Sequence, residues 1–458
     1  MGKILLALSL LFLIAACTKE EPKEVPFRIV TTYDPDDLDP HISDTQSTIA
    51  VSGHFYEALV NADANLRIQP GLATHWENPD DQTVIFHLRP NVVFHNGKRL
   101  NSRDVVYSFQ RLNQDPSLEM RVYARDIQSV RALDDRTVEM KTVKPSAIFL
   151  NKLRMISIVP DGTSRSQLLS AETGTGPYQL LEFQKKSVLR AKRFDRYWGK
   201  PADIDFVELQ LAADYQTGLH LLENNEAELI QCNLKTHSKH LEIDPRFRFF
   251  RSDSLFVKYI TFNLTDPQNP FQNHDFRKAV HLAINREKLV SNLTYHAVPA
   301  TQPVPVFVFG FNPEIRSVVP EKEAILKLFG QSEWSKQRLP VSLQVRKMFE
   351  ETAHLLKTQL EQYGVRLEIQ TLTEEQFFAK RKEIPVTISR FACTTGDASD
   401  LLNDLLYSSE REGFFRDSDL FRYTHPDLPS SESQTPGSLI EHRRHGLQRI
   451  MASLMEDL

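Results

Sequence analysis

Only one stretch of this chain is continuously apolar enough to suggest a membrane, Ile4 to Ile14, and it spans 11 residues. A helix crossing a bilayer needs about 20. Everything after it must therefore fold by burying one face of a helix or strand at a time. The 458 residues exceed what one ordinary core holds, so two or three lobes are expected. Apolar residues at 41% and charged residues at 25% suit a soluble body. The formal charge of −5 excludes nucleic acid as the main partner, because a duplex binder carries a clear Lys/Arg excess to displace counterions.

Lys3 precedes the apolar run, and Ala15 and Ala16 follow it. A charged start, a short apolar stretch and small residues describe a secretory signal over residues 1–16. Cys17 stands directly after the small residues, an arrangement that resembles the bacterial lipobox. That resemblance implies acylation of the Cys17 thiol and a lipid anchor outside the cytoplasmic membrane. Residues 17–26, polar and with two prolines, read as a tether. Two further cysteines, Cys232 and Cys393, pair in an oxidising compartment or stand as separate thiols; spacing alone leaves both open.

Phe27 to Tyr33 is rich in β-branched and aromatic residues and reads as a strand. Asp34 to His41, with its prolines and aspartates, reads as an irregular acidic turn. Thr83–Arg89 and Val92–His95 are expected strands, the second ending in an Asn96-Gly97 turn. Ser102 is a candidate cap for a helix with Val105, Val106, Phe109 and Leu112 inward, and Asp275 for one with Phe276, Ala279, Val280 and Ala283 inward. Leu339–Val345 alternates, a helix presents Phe349, Ala353, Leu356 and Leu360, Gly364 stops it, and Val365, Leu367 and Ile369 alternate again. That βαβ unit predicts a largely parallel sheet in the second half. The Ser- and Pro-rich stretch from Pro426 to Ser438 reads as a loop.

Catalytic patterns are missing. There is no G-x-S-x-G, H-E-x-x-H, phosphate loop or C-x-x-C, so no enzyme and no cofactor are expected. Gly174-Thr175-Gly176 runs into Pro177-Tyr178 instead of the third glycine of a dinucleotide site. His442 and His445 flank two arginines and read as solvated, while His41, His54, His75, His87 and His95 scatter over strands and loops, so no metal site is expected.

Several segments taken together resemble the family 5 extracellular solute-binding proteins. They include Leu38-Asp39-Pro40-His41, Tyr56-Glu57-Ala58-Leu59-Val60, residues 70–77 and Phe86-His87-Leu88-Arg89-Pro90. Phe94-His95-Asn96-Gly97, residues 102–108, Gly174 to Tyr178, Tyr197-Trp198-Gly199, Phe262-Asn263, and residues 276–279 with 283–286 continue the series in order. Most of these residues read as fold determinants. The resemblance implies an α/β clamshell of the periplasmic-binding-protein type II, with mixed sheets, two main lobes and a smaller inserted one. It places lobe I at 27–49 and 165–257, the inserted lobe at 50–164 and the third part at 258–440. It further implies a monomeric receptor of an ABC importer, capturing a peptide or similar small solute and passing it to the permease. The alternative on the same fold is a receptor or sensor for a metal chelate or other non-peptide solute.

The implied pocket residues are Tyr33, Asn263, and Phe391, Ala392, Cys393, Thr394 and Asp397. Peptide-binding members carry an aspartate that pairs with the ligand's α-ammonium where this chain has Thr394. A buried ammonium without a carboxylate is costly. Either Asp397 substitutes, or the ligand has no free amine there. Residues 441–458 resemble the family's last helix, after which the relatives' returning strand is missing; an unpaired sheet edge and lower stability are the expectation.

Overall fold

The computed structural model describes residues 25–35, 37–170, 172–231, 239–264, 267, 269–317, 320–331, 340–401, 444–449 and 451–452. Cys17, Cys232, Leu339, His442 and the stretch from Pro426 to Ser438 lie outside them.

Phe27–Thr31 forms a strand because its β-branched and apolar residues fit a half-buried pleat. It sits inside a five-stranded sheet, parallel to Phe206–Leu211 on one side and to Leu229–Ile230 on the other. Val188–Arg193 and Tyr178–Gln184 extend that sheet antiparallel. A second, four-stranded antiparallel sheet runs Ala73–Asp80, Thr83–Leu88, Thr137–Thr142, Ile127–Asp134. Val84, Phe86 and Leu88 alternate inward from it, and helix Ser102–Gln114 covers them with Val105, Phe109 and Leu112. Each such side chain contributes about 1.5–3 kcal/mol by leaving water. The cap of this helix is Asn101, not Ser102. Asn101 accepts from Arg103 N while the Asp104 carboxylate accepts from Asn101 N, and Ser102 instead donates to the carbonyl of Asp134.

The third region is built on two strand pairs. Val341–Arg346 and Leu367–Leu372 are parallel and joined by helix Glu350–Glu361, the βαβ unit read from the sequence. Gly364 follows that helix at φ +82°, a left-handed position that glycine takes without a Cβ clash. Phe256–Phe262 and Val386–Ala392 pair antiparallel, so the expectation of a largely parallel sheet holds for one pair and fails for the other. Helix His274–Ala283 is capped by Asn273, with Asp275 in its first turn. Val92–His95 makes only a single bridge, Val93 to Arg99, around the Gly97 turn. Its three apolar residues Val92, Val93 and Phe94 are all buried, so the segment lacks the exposed alternate face of an ordinary strand.

The recurrent motifs lock onto one another. Asp39 is fully buried and takes two hydrogen bonds from Arg111, Nη1 at 3.0 Å and Nη2 at 2.5 Å. Arg111 Nη1 also reaches Nδ1 of His41, whose Nε2 lies 2.8 Å from the Ser157 carbonyl. Burial first, and Arg111 second, push the His41 pKa down to about 4, so the ring is neutral and donates to Ser157. The Glu57 carboxylate accepts from Tyr197 Oη and Trp198 Nε1, both at 2.8 Å. Gly174 and Gly176 lie so close to the carbonyls of Phe55 and His54 that any Cβ would collide with backbone. That close approach, not phosphate binding, accounts for the Gly-Thr-Gly sequence.

Candidate functional site

Between the five-stranded sheet and the third region lies a crevice of about 2480 Å³. Its first wall comes from residues 29–231 and holds no Lys, Arg, Asp or Glu among the described lining residues. Ile29, Thr31, Leu189, Ala191 and Leu209 reach it from the sheet strands. Tyr33 follows the first strand, and Tyr215 opens helix Tyr215–Glu223, whose start is held by Asp214 accepting from Thr217 N at 2.8 Å. The two phenols meet, oxygen to oxygen, at 2.9 Å.

The second wall is charged. Described lining residues from 253 onward supply five cations (Lys258, Arg277, Arg286, Arg316, Arg390) and two acids (Asp253, Glu287). Lys258 and Arg390 are direct cross-strand partners, so their side chains leave the same face. The Arg390 guanidinium lies over the Phe256 ring, 4.4 Å from its centre, and has no ion-pair partner among the described residues. The Lys258 ammonium donates to Tyr295 Oη at 2.5 Å, and Tyr295 in turn meets Thr352 Oγ1 at 2.9 Å. Although water reaches Lys258 from the crevice, the surrounding protein hems it in. Desolvation, then the charge of Arg390, pull its pKa down to about 8, with Glu351 opposing. Arg286 touches the His281 ring and, among the described residues, no carboxylate; burial first, then Arg286 and Lys278, hold that ring near pKa 4. The His54 ring on the first wall is likewise pushed down by burial.

Of the residues expected from sequence, Tyr33 lines this crevice. Asn263 does not: its amide donates to the Lys382 carbonyl at 2.9 Å, and its own carbonyl accepts from Asn269 Nδ2 at 2.7 Å. Phe391 and Ala392 end the strand opposite Val257 and Phe256. Cys393 is a buried free thiol whose Sγ lies 3.0 Å from the Asp397 carbonyl. Thr394 faces the four-stranded region, where its hydroxyl meets Tyr123 Oη at 3.2 Å and its carbonyl accepts from Arg154. Asn151 Nδ2 donates to the neighbouring Thr395 carbonyl at 2.7 Å. The Asp397 carboxylate accepts from Ser399 N and Oγ at 3.0 and 2.7 Å, holding the turn that follows. Neither Thr394 nor Asp397 is on the crevice lining.

Sequence reading missed Lys258, Arg390 and Tyr215. One signal was available: in Phe256–Phe262 the period of two puts Lys258 on the face of Phe256, Ile260 and Phe262, a cation among apolar neighbours. One group of donors suited to a metal, His75, Glu77 and His87, lies outside the crevice.

A family model described as bacterial extracellular solute-binding proteins, family 5 Middle, matches residues 67–413. The dipeptide-binding protein of Escherichia coli K12 is 26% identical over 390 residues, covering 76% of this chain and 72% of that protein. The glutathione-binding protein GsiB of E. coli O6:K15:H31 is 26% identical over 397 residues, covering 81% and 75%. Across curated relatives the matched length runs from about half to three quarters of theirs. Among solved structures, the E. coli murein tripeptide binding protein MppA superposes with a TM-score of 0.78 at 20% identity, covering 95% of this chain and 91% of that one. The fold is therefore that of the type II periplasmic binding proteins.

Proposed function

The chain belongs to the bacterial extracellular solute-binding proteins of family 5, and from that membership we propose that it is the receptor of an ABC importer, holding an anionic solute of the peptide class in its crevice. The observation that carries the charge preference is the pair Lys258 and Arg390, side by side on one wall with no carboxylate salt-bridged to either among the described residues. Cations held against protein without a salt-bridged acid are stabilised by a guest that brings one. The uncharged opposite wall, with Tyr33 and Tyr215, meets the apolar and amide parts of that guest. A ligand touching both walls favours the closed arrangement, which is the state a permease reads.

In this reading lobe I comprises 27–49 and 165–257, the inserted lobe 50–164, and the third part begins near Lys258. The receptor is a monomer, tethered through residues 17–26 to lipid on Cys17, on the outer side of the cytoplasmic membrane. No catalytic step is involved. The ligand makes no use of an ammonium-pairing carboxylate at Thr394, since that residue is occupied by Tyr123 and Arg154. A chelate presenting carboxylates around a metal meets the same cations and is the second reading.

Calorimetry tests the proposal with three tripeptides: one N-acetylated and acidic, one neutral with a free amine, one basic. The acidic one should bind at least about tenfold tighter, which is 1.4 kcal/mol. Equal affinities would remove the charge preference. Binding of none, with a metal chelate recovered by native mass spectrometry, would move the solute to the second class.

A further inference from the structure

The sequence reading treats His75 and His87 as unrelated. In the fold they are direct partners on neighbouring strands of the four-stranded sheet. Their rings stack with centres 4.2 Å apart and planes 9° from parallel. Glu77, two residues beyond His75, leaves the same face, and its Oε1 lies 3.0 Å from His87 Nε2. One donor atom from each of the three falls within 4.8 Å of the others. We propose that His75, Glu77 and His87 form a surface site for a divalent transition-metal ion of the Zn2+, Ni2+ or Cu2+ class.

The hydrogen bonds fix which imidazole nitrogen is available. Thr74 Oγ1 has one proton and donates it to the His87 carbonyl at 3.2 Å. Its contact with His75 Nδ1 at 3.0 Å is then an acceptance from Nδ1–H. That leaves the His75 Nε2 lone pair without a hydrogen-bond partner among the described residues. Thr74 reaches both groups because the register slips between Ala73 and His75, a bulge that turns its side chain toward the histidine pair. His87 Nε2–H points at a carboxylate, so an ion takes the place of that proton between two donors already aligned. A tetrahedral ion with bonds of ~2.0–2.1 Å holds its ligands about 3.3 Å apart, within reach of small side-chain rotations from the present separations.

Two imidazoles and one carboxylate select borderline ions over Mg2+ or Ca2+, which prefer oxygen alone. Three protein ligands leave a fourth position for water. The surrounding outward face adds no unpaired cation at the nearest register positions: Ile85 stands opposite Glu77, Thr137 beside His87, and Glu139 already pairs with Arg131. None of the three donors lines the crevice, so the site is independent of the solute proposal. An ion bound only by the folded strands ties Ala73–Asp80 to Thr83–Leu88 and raises stability by mass action.

The test uses the untagged full chain, stripped with chelator and titrated calorimetrically with ZnCl2 and, separately, MgCl2. One Zn2+ per chain and a raised melting temperature are expected, with no response to Mg2+. His75→Gln and His87→Gln should each abolish stoichiometric binding while melting normally without metal. Thr74→Val, which frees the ring of His75, should weaken it about 10- to 100-fold. Absence of stoichiometric Zn2+ binding overturns the proposal, as does binding that survives both histidine substitutions.

Discussion

Asp39 and Arg390 are both charged groups held against protein, one in each half of the chain. Asp39 is fully buried and clasped by two nitrogens of Arg111, which also steadies the neutral His41. Arg390 rests on an aromatic ring and meets no carboxylate among the described residues. The first half repeats its solution elsewhere: Lys98 pairs with buried Asp104, and Glu57 is satisfied by Tyr197 and Trp198. The second wall repeats the other one, with Lys258 bonded to a phenol and Arg286 to an imidazole. Charge in the first half is spent on holding segments in register, while along the crevice it is left open for something that arrives from outside.

Removing each kind of charge should therefore do opposite things. The largest effect is expected for Arg111→Ala, which strands Asp39 and should cost about 3–5 kcal/mol of stability in a urea melt. A loss under about 1 kcal/mol would mean that Asp39 finds other partners and that the contrast is overdrawn. Next comes the pair Lys258→Met and Arg390→Met. Losing two charge-assisted contacts of roughly 1.5 kcal/mol each should weaken an acidic solute about 100-fold in calorimetry, with the melting temperature unchanged or higher. A folded double variant that keeps its affinity would place the ligand's charge elsewhere. The smallest effect is the pH profile. An anion beside Lys258 raises its pKa above the free value of about 8, so affinity is complete below that pH and falls as pH rises through it. Lys258→Met should flatten this decline, and an equally steep profile in the variant would assign it to another group.

The same contrast explains what could be read in advance. Helices Ser102–Gln114 and Glu350–Glu361 announce themselves through apolar residues at a 3.6 period, and strand Thr83–Leu88 through alternation. The caps expected for helices Ser102–Gln114 and His274–Ala283 were misplaced, by one residue and by two, because Asn, Ser and Asp compete for that role. Asn101 wins over Ser102 since Asp104 completes a reciprocal pair with it. The antiparallel partnership of Phe256–Phe262 with Val386–Ala392 left no local trace, because strands so distant in sequence find register only through tertiary packing. For that reason Tyr33, next to an obvious strand, was legible as a crevice residue, and the cation pair was not. The histidine pair of the four-stranded sheet was hidden for a different reason, a bulge beside Thr74 that no periodicity reveals.

Tyr123, Asn151 and Arg154 reach across to the turn at Thr394 and Thr395. This bridge stands apart from the crevice and is made of protein atoms alone, so it needs no guest to form. Any rotation that parts the walls has to break these bonds or carry the four-stranded sheet along with the cationic side. The angle at which the empty receptor rests, and the ease with which it lets a solute go, are thus set in part by a clasp that never touches the cargo.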